Sequence, residues 1–178
     1  MRQSMAGRKL IGFLFVSVTG TLLHFLYDFS GKSLAAALIS AVNESIWEHM
    51  KLIFYPMVLY TLWENRRFQE DRAAARFSGL CGILLALIMI PVLYYTYTGM
   101  LGISADWFNI TIFFVAAGSA YYLQYRLEKS GACQTGPVLW ATVIVIIAAA
   151  FTAATFLPPR IPLFRDPLTG TYGILVMG

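Results

Sequence analysis

Apolar residues run along this chain in blocks of about twenty, broken by short polar stretches, rather than in the one-sided stripe of a soluble helix. The blocks at 10–27, 44–63, 77–97, 107–125 and 137–157 each predict a helix. At about 1.5 Å rise per residue, such a helix is long enough to cross a hydrocarbon layer about 30 Å thick. A sixth block, 33–42, is too short to span and predicts an interfacial or re-entrant helix with Ser33 as its N-cap. Pro56 and Pro91 fall inside the second and third spans and predict kinks, the first by freeing the carbonyl of Leu52. The stretch 64–76, with Arg66, Arg67, Arg72 and Arg76, predicts a charged loop. The tail 158–178 is too short for another span plus its turn, and Asp166-Pro167-Leu168-Thr169-Gly170 predicts a turn.

Composition sharpens this pattern. Of 178 residues, 58% are hydrophobic and 12% charged, against about 25% charged in soluble domains. The expected fold is therefore all-α: a polytopic integral membrane protein of five transmembrane helices plus the short interfacial or re-entrant helix, in one transmembrane domain over 1–178. The N-terminal basic residues and first apolar block look like a signal peptide. No small-x-small cleavage site follows, so this is read as an uncleaved first span.

Charge orients the model of five spans. Arg2, Arg8, Lys9, Arg66, Arg67, Arg72, Arg76, Arg126 and Lys129 fall on one side, against Lys32, Lys51, Arg160 and Arg165 on the other. The N-terminus is then inside and the C-terminus outside. Aromatic belts follow the same division: Trp63, Tyr125 and Trp140 inside, Trp47, Tyr94, Tyr95 and Trp107 outside. The net charge of +4 is dispersed over loops, which argues against nucleic acid as a partner; membrane lipids are the expected surroundings. Cys81 and Cys133 both fall near the inner face, so no structural disulfide is expected. Small residues around Gly118 and Ser119, and at Ala148–150, Ala153 and Ala154, predict close helix packing in the last two spans.

Polar chemistry gathers at the outer ends. His24 and Asp28 close the first span, four residues apart, a spacing that lets a carboxylate orient an imidazole. In the second span Asn43 is the expected N-cap and Glu44 the first helical residue, so Glu44 and Glu48 share a face with Lys51. Two like charges there require a cation between them: Lys51, a tail arginine or a metal. His49 points about 100° away from Glu48 and shares its stripe with Ser45. The inner acidic residues, Glu64, Glu70, Asp71 and Glu128, fall in loops beside arginine or lysine and need no special partner.

Three readings of this constellation remain open. In the first it is a structural network, Glu48 with Lys51 and the tail arginines. In the second it is an enzyme site for hydrolysis of a lipid or head-group ester. There Glu48, Glu44, His24 and Asp28 would be catalytic, and Asn43, Trp47, Lys51, Arg165, Asp166 and Tyr172 would bind substrate. A divalent metal such as zinc would be held by His24, Glu44, Glu48 and His49. The tail around Asp166 and Tyr172 would be the lid of the pocket. Glu-x-x-x-Glu-His is not a standard ligand motif, and the chain has no H-E-x-x-H, G-x-S-x-G, C-x-x-C or Gly-rich phosphate loop. In the third reading the site binds or transports a small solute or ion, with the prolines breaking helices around it and a homodimer completing the path.

Val42-Asn43-Glu44-Ser45-Ile46-Trp47-Glu48-His49 and Asp166-Pro167-Leu168-Thr169-Gly170-Thr171-Tyr172-Gly173 resemble paired motifs of a family of small bacterial integral membrane proteins of unknown function. The resemblance covers the whole chain. It implies an inner-membrane location and a tail that folds over the second helix, and it supplies no activity. A looser similarity connects the chain to intramembrane metal-dependent hydrolases of the ceramidase and progestin-receptor type. Those have seven spans and three zinc-binding histidines. This chain has two histidines, so their ligands do not carry over.

Overall fold

Six α-helices and a 3₁₀ turn make up the computed structural model, which describes residues 4–68, 72–131 and 133–174. They are α1 Met5–Phe29, α2 Leu34–Ile39, α3 Ile46–Arg67, α4 Arg72–Leu101, α5 Asp106–Ser130 and α6 Pro137–Phe156, with the 3₁₀ turn at Pro162–Phe164. No strand occurs among the described residues; Arg165 and Tyr172 form an isolated antiparallel bridge. Arg2, Glu70, Asp71 and the last four residues of the tail, on which sequence expectations also fell, lie outside the described residues.

Three helices, α1, α4 and α6, are long and apolar enough to cross a membrane, not the five that the sequence predicts. α3 and α5 have the length, at 22 and 25 residues. Their polar content sets them apart: α3 carries Glu48, His49, Lys51 and Glu64 within its body, and α5 carries Asp106, Asn109, Gln124 and Arg126. Those of α3 turn inward. α3 packs against α1, α2, α4, α6 and the 3₁₀ turn, and its Glu48, Lys51, Thr61 and Glu64 are all buried. Around its middle the core is apolar: Ile53, Phe54 and Met57 meet Val16 of α1, Ile83, Ala86 and Ile90 of α4, and Ala116, Ala117 and Ala120 of α5.

The helices reach further than the apolar blocks. Ser4 caps α1 by accepting from the Gly7 amide at 3.1 Å, which takes Arg8 and Lys9 into the helix. α3 and α4 consume most of the expected charged loop, because alanine and arginine are good helix formers. As expected, Ser33 caps the short α2, accepting from the Ala36 amide at 3.2 Å. α6 starts with Pro137 in its first turn, where no amide proton is needed.

Two consequences of sequence show in the α1–α3 contact. Pro56 frees the carbonyl of Leu52, and that oxygen lies against Gly20, where a Cβ would sit 2.7 Å from it. About two turns earlier in α1, a Cβ on Gly12 would sit 2.6 Å from the Tyr60 ring. Both glycines allow a backbone approach that any side chain would prevent. In α6, by contrast, Ala149, Ala150 and Ala153 face outward, while Ala148 packs against the core.

One correction concerns the inner acidic residues. Glu64 and Glu128 are not loop residues with casual neighbours; both are buried in helices and share Lys9. Lys9 Nζ lies 2.8 Å from Glu64 Oε2 and also contacts Glu128 Oε1. Arg8 lies 3.9 Å from Glu64 and 3.8 Å from Glu128, and the Ser78 hydroxyl donates to Glu128 at 2.7 Å. Two cations and two carboxylates thus tie α1, α3, α4 and α5 together at one end of the bundle.

Candidate metal centre

At the opposite end of α3, the chain between α2 and α3 sets the geometry. Ser45, not Asn43, is the N-cap: its hydroxyl accepts from the Glu48 amide at 3.4 Å, and the helix begins at Ile46. Ser45-x-x-Glu48 has the form of a capping box, but the Glu48 carboxylate does not return to the Ser45 amide. Asn43 Oδ1 takes that amide instead, at 2.9 Å. Glu44 is therefore outside the helix, and the shared face expected for Glu44 and Glu48 does not exist. The two carboxylates go separate ways.

Glu48 goes inward. It is 1% exposed and Lys51 is 0% exposed. Lys51 Nζ lies 2.6 Å from Glu48 Oε2 and donates to the Ala37 carbonyl at 2.8 Å and the Thr155 hydroxyl at 3.0 Å. Thr155 in turn donates to Glu48 Oε1 at 2.8 Å, and the Val42 amide donates to Glu48 Oε2 at 3.1 Å. Every ammonium proton and both carboxylate oxygens have a partner.

Glu44 goes to the histidines. His49 Nε2 lies 3.3 Å from Glu44 Oε2, His24 Nε2 lies 3.8 Å from the same oxygen, and the two imidazole nitrogens are 3.2 Å apart. Among the described residues this is the group of histidine and acidic side chains close enough to share a metal ion. All three side chains are half-buried, so solvent reaches them. His24, and after it His49, face the Glu44 carboxylate and hold it well below the usual carboxylate range. His49 Nδ1 is 3.0 Å from the Ser45 carbonyl. A carbonyl only accepts, so Nδ1 carries a proton. Nε2 donates to the Glu44 carboxylate when the ring is charged and offers its lone pair to a metal ion when the ring is neutral.

The remaining residues singled out from the sequence lie around these two groups. Asp28 is exposed, and no hydrogen bond joins it to His24 among the described residues. Asn43 Nδ2 donates to the Gly173 carbonyl at 3.0 Å, which fastens the tail to the loop that carries Glu44. Trp47 packs between Phe151 of α6 and Phe164 of the 3₁₀ turn, with ring centroids 4.8 and 4.7 Å away. Asp166 is buried and turns its own hairpin, its Oδ1 accepting from the amides of Leu168 at 2.8 Å and Thr169 at 3.3 Å. Arg165 is exposed and Tyr172 half-buried, paired through their backbones. Two surface hollows, one lined by Pro91, Val92, Tyr95 and Thr96 and the other by Tyr122, Tyr125, Arg126, Lys129 and Ser130, involve none of these side chains.

Residues 2–174 match the model of a protein family described as "Family of unknown function (DUF6512)". The chain belongs to this family. A search among curated proteins finds no match, and neither does a search among solved structures. Within the family match fall all of His24, Glu44 and His49, together with the Glu48–Lys51 pair and the tail as far as Ile174.

Proposed function

We propose that this member of the family is a metal-dependent membrane hydrolase, with zinc or another divalent ion held by His24, Glu44 and His49. The observation that carries the reading is the spacing of the three donor atoms, 3.2, 3.3 and 3.8 Å from one another. A tetrahedral zinc with bonds of about 2.0–2.2 Å sets its ligand atoms about 3.3–3.6 Å apart. The donor set, two imidazoles and one carboxylate, is that of catalytic zinc sites that keep a fourth position for water. The proton on His49 Nδ1, held by the Ser45 carbonyl, orients the ring as an outer-shell partner does.

A metal held by His24, Glu44 and His49 would supply an activated water and polarise an ester carbonyl. The substrate class is a lipid or head-group ester. Leu22, Phe25 and Phe29, exposed beside His24 on the last turns of α1, give an apolar approach from the membrane. The apolar core between this end and the Lys9 end supports chemistry at one face over a polar path through the bundle.

In this reading α3 and α5 also cross the bilayer, shielded by α1, α4 and α6. The end with Arg8, Lys9, Arg66, Arg67, Arg72, Arg76, Arg126 and Lys129 faces the cytoplasm of a bacterial cell, and the metal lies near the outer face of the inner membrane. The test is metal content and hydrolysis on purified full-length protein. Wild type is expected to carry one zinc per chain and to cleave a short-chain fluorogenic ester in detergent micelles. Glu44→Gln and His49→Ala are expected to lose both. A wild-type protein that takes up no stoichiometric zinc, manganese or iron would overturn the reading.

A further inference from the structure

Glu44 is the one ligand of the three that does not sit on a helix. His24 and His49 have their backbones fixed by α1 and α3, whereas Glu44 lies in the connection between α2 and α3. A metal site holds its geometry only if each ligand's backbone is held. The residue before Glu44 has two bonds that do this. Asn43 Oδ1 accepts from the Ser45 amide at 2.9 Å, and Asn43 Nδ2 donates to the Gly173 carbonyl at 3.0 Å. The first bond is local to the loop. The second crosses 130 residues of sequence to the C-terminal strap.

The strap is itself pinned where it meets Asn43. Gly173 has φ +57, and a Cβ there would sit 2.6 Å from the Thr155 carbonyl. The next amide, Ile174, donates to that same carbonyl at 3.0 Å. Upstream, the bridge between Arg165 and Tyr172 and the Asp166 turn close the hairpin that delivers Gly173. Phe164 covers Trp47 on the first turn of α3. The hairpin thus presents one carbonyl to one side chain, beside the loop ligand.

We infer that Asn43 and Gly173 are positioning residues of the metal centre: the C-terminal strap, through the Asn43–Gly173 bond, holds the Glu44 carboxylate against the two histidines. This rests on the metal reading above and adds to it a role for the tail that neither motif has alone. It accounts for an asparagine at 43 rather than an aspartate, since a carboxylate accepts from Ser45 but cannot donate to Gly173.

The test is zinc affinity of the full-length protein in detergent, by competition with a chromophoric chelator, at a temperature well below unfolding. Asn43→Asp keeps the acceptor for Ser45 and loses the donor to Gly173. Gly173→Ala moves the carbonyl away by strain at positive φ. Each is expected to weaken zinc binding about tenfold or more, the range typical of outer-shell partners. The double variant is expected to weaken it no further than the stronger single one, because both break the same bond. Thr169→Ala, on the exposed tip of the hairpin, is the control and is expected to bind as wild type does. Wild-type zinc affinity in Asn43→Asp, whatever its melting temperature, would overturn the inference and leave the metal centre standing; so would additive losses in the double variant. A wild-type protein that binds no zinc would overturn both. If Gly173→Ala fails to fold, Asn43→Asp against Thr169→Ala decides the matter.

Discussion

Glu48 and His49 are neighbours in the chain and belong to opposite kinds of polar site. Glu48, with Lys51, Thr155, the Val42 amide and the Ala37 carbonyl, forms a group that is closed: buried, charge-balanced and fully hydrogen-bonded. His49, with His24 and Glu44, forms a group that is half-open to solvent and whose nitrogen and oxygen atoms converge on one point. The closed group has what a buried ion pair needs in order to persist. In the proposed reading the open group is completed by a metal ion. Burial and satisfaction therefore separate structure from chemistry better than residue type does, since both groups use a glutamate and a base.

The largest effect that would break this contrast comes from opening the closed group. Lys51→Met leaves Glu48 buried without its cation, and about 3–5 kcal/mol of stability is expected to be lost. Adding Glu48→Gln to it is expected to restore most of that loss, as read by thermal unfolding in detergent. A Lys51→Met protein as stable as wild type would mean the two groups do not differ as described. Lys9→Met at the other end is expected to cost less, about 2–3 kcal/mol, because Arg8 remains within 4 Å of both carboxylates.

Gly20→Ala tests packing rather than charge. Its methyl group would meet the Leu52 carbonyl at 2.7 Å, and about 1–3 kcal/mol is expected to be lost through overpacking, with zinc affinity retained. The smallest stability effect is expected in the open group. Glu44→Gln removes a partly exposed ion pair, so a change of about 0–1 kcal/mol is expected in protein free of metal. Yet that variant is expected to lose the metal. Stability and metal binding then rank these variants in opposite orders, which is the sharpest form of the comparison.

The apolar blocks in the sequence place all five long helices and the short α2 close to where they fold, because about twenty apolar residues in a row leave few alternatives. Helix ends were harder to read. The sequence reading set the N-cap at Asn43, although Ser45-x-x-Glu48 is the stronger start signal. That shift of two residues moved Glu44 off the helix and undid its pairing with Glu48. His24, Glu44 and His49 were grouped from their shared end of the helices, and they do meet; that Glu48 turns away from them depends on a helix start and a mutual rotation that no local pattern records. The Lys9–Glu64–Glu128 cluster was missed for another reason. Counting basic residues by side treats them as solvated loop charges, and Lys9 instead reaches a carboxylate 55 residues away inside the bundle. A lysine that directly abuts an apolar run was the available signal.

Thr135 and Thr155 bracket α6. The Thr135 amide donates to the Ala73 carbonyl and its carbonyl accepts from Arg76, while Thr155 serves Glu48, Lys51 and Ile174. Between these brackets Val145, Ile146, Ala149 and Ala150 look outward. The helix is thus mounted like a stave fixed at top and bottom. Acyl chains can wet that outer face without loosening the helix, since two polar rivets fix its ends and Trp140, Ile144 and Phe151 hold its inner face.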